Sequence, residues 1–179
     1  MSNFSKPFPQ SYWVHPGLLC AGHYPGAPDS QTRDAKLHGL LDCGLRRVVS
    51  LMEPTETGHG GEPFAPYLPR LQELAAARGT TIEWVGLSIR DASAPTPARM
   101  REILSAIDEG LARQLPTYFH CWGGHGRTGT VVACRLIQQG MTPQQSLEEV
   151  LRLRSSLPKA HDPFEGNQRE FILGWKSTS

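Results

Sequence analysis

The segment His-Cys-Trp-Gly-Gly-His-Gly-Arg-Thr-Gly, residues 120–129, places a thiol, an arginine and four glycines within ten positions. A run ending in Tyr-Phe-His-Cys predicts a strand over 116–121, and the apolar residues after Arg127 predict a helix that Gly140 ends. A glycine-rich loop between a strand and a helix brings backbone N–H groups and the positive end of the helix dipole together. The segment therefore predicts an anion-binding loop.

A cysteine at the start of this loop gives it chemistry beyond binding. The field that attracts an anion also stabilises a thiolate, so Cys121 is predicted to be a nucleophile. The planar guanidinium of Arg127 can hold two oxygens of a phosphoryl group, and the Thr128 hydroxyl can donate to the sulfur. A nucleotide-binding loop would end in Gly-Lys-Ser/Thr, which is absent here. The residues expected to bind the phosphate are Trp122, Gly123, Gly124, His125, Gly126 and Arg127.

His120-Cys121, five residues, and then Arg127-Thr128-Gly129 resembles the catalytic loop of the cysteine-dependent protein tyrosine phosphatases. The short chain is most similar to the compact dual-specificity branch of that family, and the order of elements matches over roughly residues 12–175. The resemblance implies a phosphomonoester hydrolase that works through a cysteinyl-phosphate intermediate, with no metal or other cofactor. The implied substrate is a phosphorylated protein or a small phosphomonoester. His120 is expected to support the loop through hydrogen bonds.

The same resemblance implies a general acid, an aspartate on a loop after a strand about thirty residues before the cysteine. Asp91 stands in the matching place, after a strand predicted over 81–89. It would protonate the leaving oxygen and then, as a carboxylate, take a proton from the attacking water. Asp108, in a predicted helix, is a weaker candidate. Glu53 could reach the mouth of the site, but an exposed position in a surface loop is the preferred prediction for it.

Gln168 resembles the glutamine with which larger family members place the hydrolytic water. It lies near the start of a last helix, predicted to open at Asp162-Pro163 and to run to about Trp175. Trp122 and His125 are expected at the rim of the pocket. Lipid and inositol-phosphate phosphatases of this kind carry lysines in the loop, and His125 is only partly charged near neutral pH. The substrate class therefore stays open between protein, lipid and inositol phosphates.

Two further functions compete with a phosphatase. A phosphate-binding protein without catalysis would share the loop, but the nucleophile, the arginine, the threonine and an acid are all present. A rhodanese-like sulfurtransferase also uses a cysteine in an amide-lined loop. Such loops lack the preceding histidine and do not end in Arg-Thr-Gly.

Strands and helices alternate along the chain, which predicts an α/β fold in one domain, with a mostly parallel central sheet of about five strands flanked by helices. Residues 1–11 are expected to be a flexible lead-in to a catalytic domain over 12–179. The predicted strands cover 12–14, 18–20, 46–52, 81–89 and 116–121. The predicted helices run from Asp29 or Ser30 to Cys43 and over 67–79, 97–113, the stretch from Arg127 to Gly140, 143–154 and the last segment.

Length, net charge and hydropathy exclude some classes of function. A length of 179 residues suits one domain, and a net charge of +1 argues against general nucleic-acid binding. A membrane span is not expected, because no run of about 18 apolar residues occurs, and the first residues lack the apolar core of a secretory signal. The oligomeric state stays open.

Two arginine pairs, Arg46-Arg47 and Arg152 with Arg154, are expected at the solvent-exposed ends of helices or strands.

The four cysteines are few and widely spaced, which favours a reduced cytoplasmic protein over a disulfide framework. No spacing suits a zinc site. Cys20, Cys43 and Cys134 are expected to pack in the core, with a redox partnership with Cys121 as the less favoured alternative.

Overall fold

The computed structural model describes residues 4–58, 60–158 and 160–176, which form one sheet with helices on both faces. The strands are β1 (Ser11–His15), β2 (Leu19–Gly22), β3 (Arg47–Ser50), β4 (Glu83–Gly86) and β5 (Thr117–His120). The helices are α1 (Ser30–Asp42), α2 (Leu68–Ala76), α3 (Pro97–Ala112), α4 (Gly126–Gln138), α5 (Pro143–Arg154) and α6 (Gln168–Gly174).

The five strands lie in the order β1-β2-β5-β3-β4, and only the β1–β2 pair is antiparallel. His120, at the end of central strand β5, pairs with Gly22 on one side and Ser50 on the other. The loops that follow β3, β4 and β5 therefore leave the same edge of the sheet, the edge at which open α/β sheets bind ligands. The predicted fold class is confirmed.

Alternate residues of the central strands face two separate cores. Val49 and Phe119 pack in the core that contains α3, α4, α5 and α6. Val48 and Tyr118 pack in the core that contains α1 and α2. Because successive side chains of a strand point to opposite faces, a strand buried on both faces reads as a continuous apolar run.

Helix starts follow the capping residues in the sequence. The side chain of Asp29 accepts from Thr32 N, and that of Thr96 accepts from Arg99 N. Thr142 and Gln145 form the predicted capping box at the start of α5. The bounds of α1 to α5 lie within a few residues of the predicted ones.

The last helix is shorter than predicted, because α6 begins at Gln168 rather than near Asp162. The Asp162 side chain accepts from Phe164 N in a local turn instead of capping a helix. Gly166 then has a φ of 53°, a left-handed conformation that a helix cannot contain. The segment between Asp162 and Gln168 is consequently an irregular loop.

The chain start also differs from expectation within the described residues. Phe8 is buried, and its ring packs edge-on against that of Tyr118, with the ring centroids 5.8 Å apart. β1 begins at Ser11, so packing against the sheet starts before the boundary expected at residue 12. Residues 1–3 of the expected lead-in lie outside the described residues.

Two of the arginines expected at solvated ends are buried. Arg47 lies under α3, where its guanidinium donates to Glu109 at 3.3 Å. Arg154 is 1% exposed. Their neighbours Arg46 and Arg152 retain the expected exposure, half-buried and exposed respectively.

Over the described stretches, the helices include none long and apolar enough to cross a membrane.

Candidate active site

Cys121 directly follows β5 and lies at the N-terminus of α4. Its sulfur accepts a hydrogen bond from Thr128 Oγ1 at 3.1 Å, and the same hydroxyl oxygen accepts from Cys121 N at 3.0 Å. The first N–H groups of a helix lack intrahelical partners, and the side chain of His125, the residue before α4, makes no capping hydrogen bond. The predicted nucleophile thus lies where the α4 N-terminus favours negative charge.

The loop from Cys121 to Arg127, here named the phosphate loop, contacts the backbone at the end of β2 and just after it. Tyr24 N donates to Trp122 O at 2.9 Å. Gly124 has a φ of 66°, and a Cβ added there would lie 2.5 Å from the carbonyl carbon of Gly22. Only glycine satisfies both the conformation and the close approach, so the glycine at 124 shapes the loop.

His120 is buried beneath the phosphate loop and forms hydrogen bonds through both ring nitrogens. Its Nδ1 lies 3.0 Å from Cys121 O, an acceptor, so Nδ1 carries the proton. Its Nε2 therefore accepts, and the Tyr67 hydroxyl lies 2.7 Å away as donor. Burial lowers the pKa of His120 from 6.5 to about 3. The imidazole is consequently neutral at physiological pH, and Tyr67 is a supporting residue that sequence reasoning missed.

Arg127, predicted to bind phosphate, lies at the first turn of α4 and is 2% exposed. Glu56 holds it through two hydrogen bonds, Nη1 to Oε2 at 2.7 Å and Nη2 to Oε1 at 2.6 Å. Nη1 also donates to Ile89 O at 3.2 Å. The Glu56 side chain is 8% exposed, so this fork-to-fork pair is shielded from water.

Asp91 lies on the loop after β4 and is brought to the phosphate loop, as the resemblance implies. Its Oδ1 lies 2.8 Å from Arg127 Nη2, while its own side chain is 57% exposed. The two weaker acidic candidates lie elsewhere. Asp108 pairs with Arg135 between α3 and α4, and the exposed Glu53 is three residues from Glu56, the carboxylate that reaches the arginine.

Gln168 is buried against the phosphate loop, where a Cβ added to Gly126 would lie 2.5 Å from its Oε1. Its amide nitrogen donates to Ser93 O at 3.2 Å, and its Oε1 accepts from Glu165 N at 2.9 Å. The side chain therefore contacts the loop that carries Asp91 as well as the loop that carries Cys121.

Arg154 is a further residue of the site that the sequence did not indicate. Its Nη1 donates to Gly124 O at 2.6 Å, and its Nη2 donates to His125 Nδ1. The ion pairs of the described residues do not include Arg154, and its Nε has no hydrogen-bond partner. A buried guanidinium thus lies behind the phosphate loop and adds positive charge there.

These elements enclose a cavity of about 530 Å³ above Cys121. Two carboxylates, one guanidinium and two imidazoles line it: Asp91, Glu165, Arg127, His23 and His125. Trp122, Leu157 and Pro158 form apolar walls. Burial lowers the pKa of His23, which leaves its ring neutral at pH 7. No three metal-binding side chains cluster anywhere in the described residues.

The other cysteines are distant from the nucleophile or buried in the core. Cys20 pairs with Tyr118, three residues before Cys121 on an adjacent parallel strand, which separates the two by about 10 Å at a rise of about 3.3 Å per residue. A disulfide needs a Cα separation below about 7 Å. Burial raises the pKa of Cys20 and Cys134, which keeps both as thiols. Cys43 is half-buried and donates to Ser5 O.

Comparison with known proteins places this geometry in a family. Residues 9–165 match the model of the DSP-PTPase phosphatase domain of the Swiss Army Knife proteins. Cyclin-dependent kinase inhibitor 3 of Sus scrofa is 36% identical over 70 residues, covering 38% of this chain and 33% of the relative. Phosphatidylglycerophosphate phosphatase PTPMT1 of Arabidopsis thaliana is 27% identical over 117 residues, covering 64% of this chain and 31% of the relative. The chain thus spans about a third of the length of these relatives.

Among solved structures, the crystal structure of a mutant form of Tk-PTP superimposes with a TM-score of 0.66 and 25% sequence identity over 92% of each chain. The family model covers most of the chain, including all five strands and the phosphate loop. The chain therefore belongs to the DSP-PTPase phosphatase domain family.

Proposed function

We propose that the protein hydrolyses phosphomonoesters through a cysteinyl-phosphate intermediate. The observation that carries the proposal is the contact of the Cys121 sulfur with the Thr128 hydroxyl at the N-terminus of α4. Asp91 and Arg127 lie at the same edge of the sheet and in one cavity with that sulfur. A nucleophile, a cation for the phosphoryl oxygens and an acid are thereby in reach of one ligand.

In the first step, the Cys121 thiolate attacks phosphorus while the bond from phosphorus to the ester oxygen breaks. Asp91 gives its proton to that oxygen, so the leaving group departs as an alcohol or phenol. Arg127 and the N–H groups of the phosphate loop stabilise the charge on the transferring group. Removing one donor of this kind costs about 100- to 1,000-fold in rate.

In the second step, a water attacks the cysteinyl phosphate and passes a proton to the Asp91 carboxylate. The sulfur leaves as a thiolate, which the Thr128 hydroxyl stabilises, and inorganic phosphate is released. Gln168 is proposed to place this water, since it lines the cavity beside Gly126. An amide nitrogen carries two hydrogens, and Ser93 O takes one of them.

The charge on the cavity wall favours a substrate with one phosphate, and we infer an aryl ester such as phosphotyrosine. Asp91 and Glu165 would repel further phosphates, while Arg127 is the one Lys or Arg side chain among the described lining residues. The apolar walls of Trp122, Leu157 and Pro158 suit the ring of an aryl ester. Lipid phosphates and inositol phosphates are the competing classes, and the Arabidopsis relative is named for a lipid phosphate.

The test compares wild-type protein with Cys121→Ser on phenyl phosphate and measures vanadate binding in parallel. Hydrolysis by the wild type, its loss in Cys121→Ser and retained vanadate binding are expected. Substantial turnover by the variant would contradict the covalent mechanism, and vanadate binding without wild-type turnover would indicate a binding protein. Sulfur transfer from thiosulfate to cyanide without phosphatase activity would indicate a sulfurtransferase.

A second experiment compares wild-type kcat/KM on a phosphotyrosine peptide, a phosphothreonine peptide, phosphoinositide vesicles and an inositol polyphosphate. The highest value on the phosphotyrosine peptide is expected. A higher value on either inositol-containing substrate would contradict the assignment from charge.

A further inference from the structure

The direction of Asp91 depends on contacts outside its own loop. Ala92, the next residue, has a φ of 52°, in the left-handed region that a residue with a Cβ adopts at a cost. The Asp91 side chain is mostly exposed, so burial does not hold it either. Arg127 Nη2 contacts the Asp91 carboxylate at 2.8 Å, and within the loop Ser93 donates to Arg90 O and to Asp91 O. Contacts from outside the loop add to these and act on the backbone that follows Asp91.

The segment that leads into α6 makes those contacts. Asn167 Oδ1 accepts a hydrogen bond from Ala94 N at 2.8 Å. Gly166 approaches the loop so closely that a Cβ added to it would lie 2.7 Å from Ala92 O. The next residue along, Gln168, donates to Ser93 O. We name Gly166, Asn167 and Gln168 the acid-loop latch.

The latch acts on three consecutive residues of the loop, those immediately after Asp91. Gln168 also packs against Gly126 of the phosphate loop. The latch therefore contacts both the loop that carries Asp91 and the loop that carries Cys121. Asn167 itself is exposed and is not among the residues that line the cavity.

We propose that Asn167 is a positioning residue: it accepts from Ala94 N and thereby holds Asp91 where it protonates the leaving oxygen. The inference rests on the proposed phosphatase function, because Asp91 has a proton to deliver only in that reaction. Asn167 acts through the loop and does not touch the substrate. Loss of one neutral hydrogen bond shifts a loop equilibrium by about three- to tenfold.

A leaving-group series isolates this effect. Phenol is weakly acidic, with a pKa of about 10 like that of tyrosine, so its departure needs the proton from Asp91. Dinitrophenol leaves readily without one. A variant that displaces Asp91 therefore slows phenyl phosphate much more than dinitrophenyl phosphate, whereas a variant that damages the phosphate loop slows both equally.

The variants are Asn167→Leu, which removes the acceptor at similar size, and Asn167→Asp, which keeps an acceptor oxygen. Gly166→Ala disturbs the latch independently by placing a Cβ against Ala92 O. Gly174→Ala is the control, because a Cβ there meets nothing within 4 Å at the far end of the same helix. Thermal unfolding of each variant verifies that it is folded.

For Asn167→Leu and Gly166→Ala, we expect kcat/KM on phenyl phosphate to fall about fivefold or more, with less than about twofold change on dinitrophenyl phosphate. Asn167→Asp recovers most of the loss, and Gly174→Ala matches the wild type. Equal loss on both esters, or no loss in Asn167→Leu, would overturn the latch while leaving the phosphatase function intact. A wild type that hydrolyses neither ester would overturn the proposed function itself.

Discussion

Glu56 holds the guanidinium of Arg127 through two parallel hydrogen bonds across 71 positions of sequence. The carboxylate comes from the loop after β3 and the arginine from the first turn of α4, so the pair ties together two loops at one edge of the sheet. Because both side chains are almost fully buried, the pair fixes the direction in which Arg127 presents its charge.

Glu56→Gln is expected to lower kcat/KM on phenyl phosphate by roughly 10- to 100-fold, since a misplaced transition-state contact costs about that much. Glutamine keeps one acceptor but turns an amide N–H toward the guanidinium. Glu53→Gln, three residues away on the exposed part of the same loop, is the matched control and should stay within about twofold. Steady-state kinetics measure both, and equal behaviour of the two variants would contradict the role of Glu56.

Arg154→Met is expected to weaken binding of inorganic phosphate by about tenfold, because the buried charge behind Gly124 and His125 is lost. Arg154→Lys keeps the charge but cannot reproduce the planar fork that reaches Gly124 O and His125 Nδ1 together, so it should recover only part of the affinity.

Competitive inhibition by phosphate measures the affinity, and thermal unfolding separates a binding defect from a folding defect. Arg152→Met is the control, as Arg152 is exposed on the same helix and pairs with Glu149. Unchanged phosphate affinity in a folded Arg154→Met would show that the charge acts on stability alone.

The phosphate loop and the fold could be predicted because their signals are contiguous. The ten consecutive residues from His120 to Gly129 are enough to predict the loop, and the alternation of strands and helices is enough to predict the sheet. Glu56 could not be found in this way, since its loop also carries Glu53 and Glu62. The pairing of β3 with β5 brings the loop to the site, and only the folded contact with Arg127 shows which glutamate reaches it.

Long-range contacts also explain why the burial of Arg154 and the start of α6 were not predicted. Arg154 looks like a solvated helix end in sequence, yet the loop that packs on α5 buries it. Asp162-Pro163 resembles a helix start, but Gly166 delays α6 to Gln168 and so places Asn167 and Gln168 beside a loop more than seventy positions earlier. Capping patterns describe local hydrogen bonds, and they do not encode such contacts.

Gln168→Ala is expected to slow the second chemical step more than the first. Loss of the amide that places the water would let cysteinyl phosphate accumulate, so rapid mixing should show a burst of about one phenol per active site. Slower turnover without a burst would indicate that Gln168 only braces the two loops. The Gly174→Ala control lies on the same helix, away from the cavity.

His120 makes folding stability depend on pH. Burial lowers its pKa in the folded protein from 6.5 to about 3, so below pH 6.5 the unfolded chain binds a proton that the folded protein does not. This contribution to stability is complete above the unfolded pKa and declines as pH falls toward the folded one. Between pH 7 and pH 5 the loss amounts to about 2 kcal/mol.

His120→Asn should remove this loss, because asparagine does not titrate and its amide can still donate to Cys121 O. Denaturant unfolding at the two pH values measures the free energy of unfolding of each protein. The comparison uses only the change in the free energy of unfolding between the two pH values. The variant is expected to be less stable overall because it loses the contact with Tyr67, and this constant loss cancels. His23, whose pKa is also lowered by burial, is present in both proteins and cancels as well. An equal pH dependence in the two proteins would mean that His120 is not held neutral by burial.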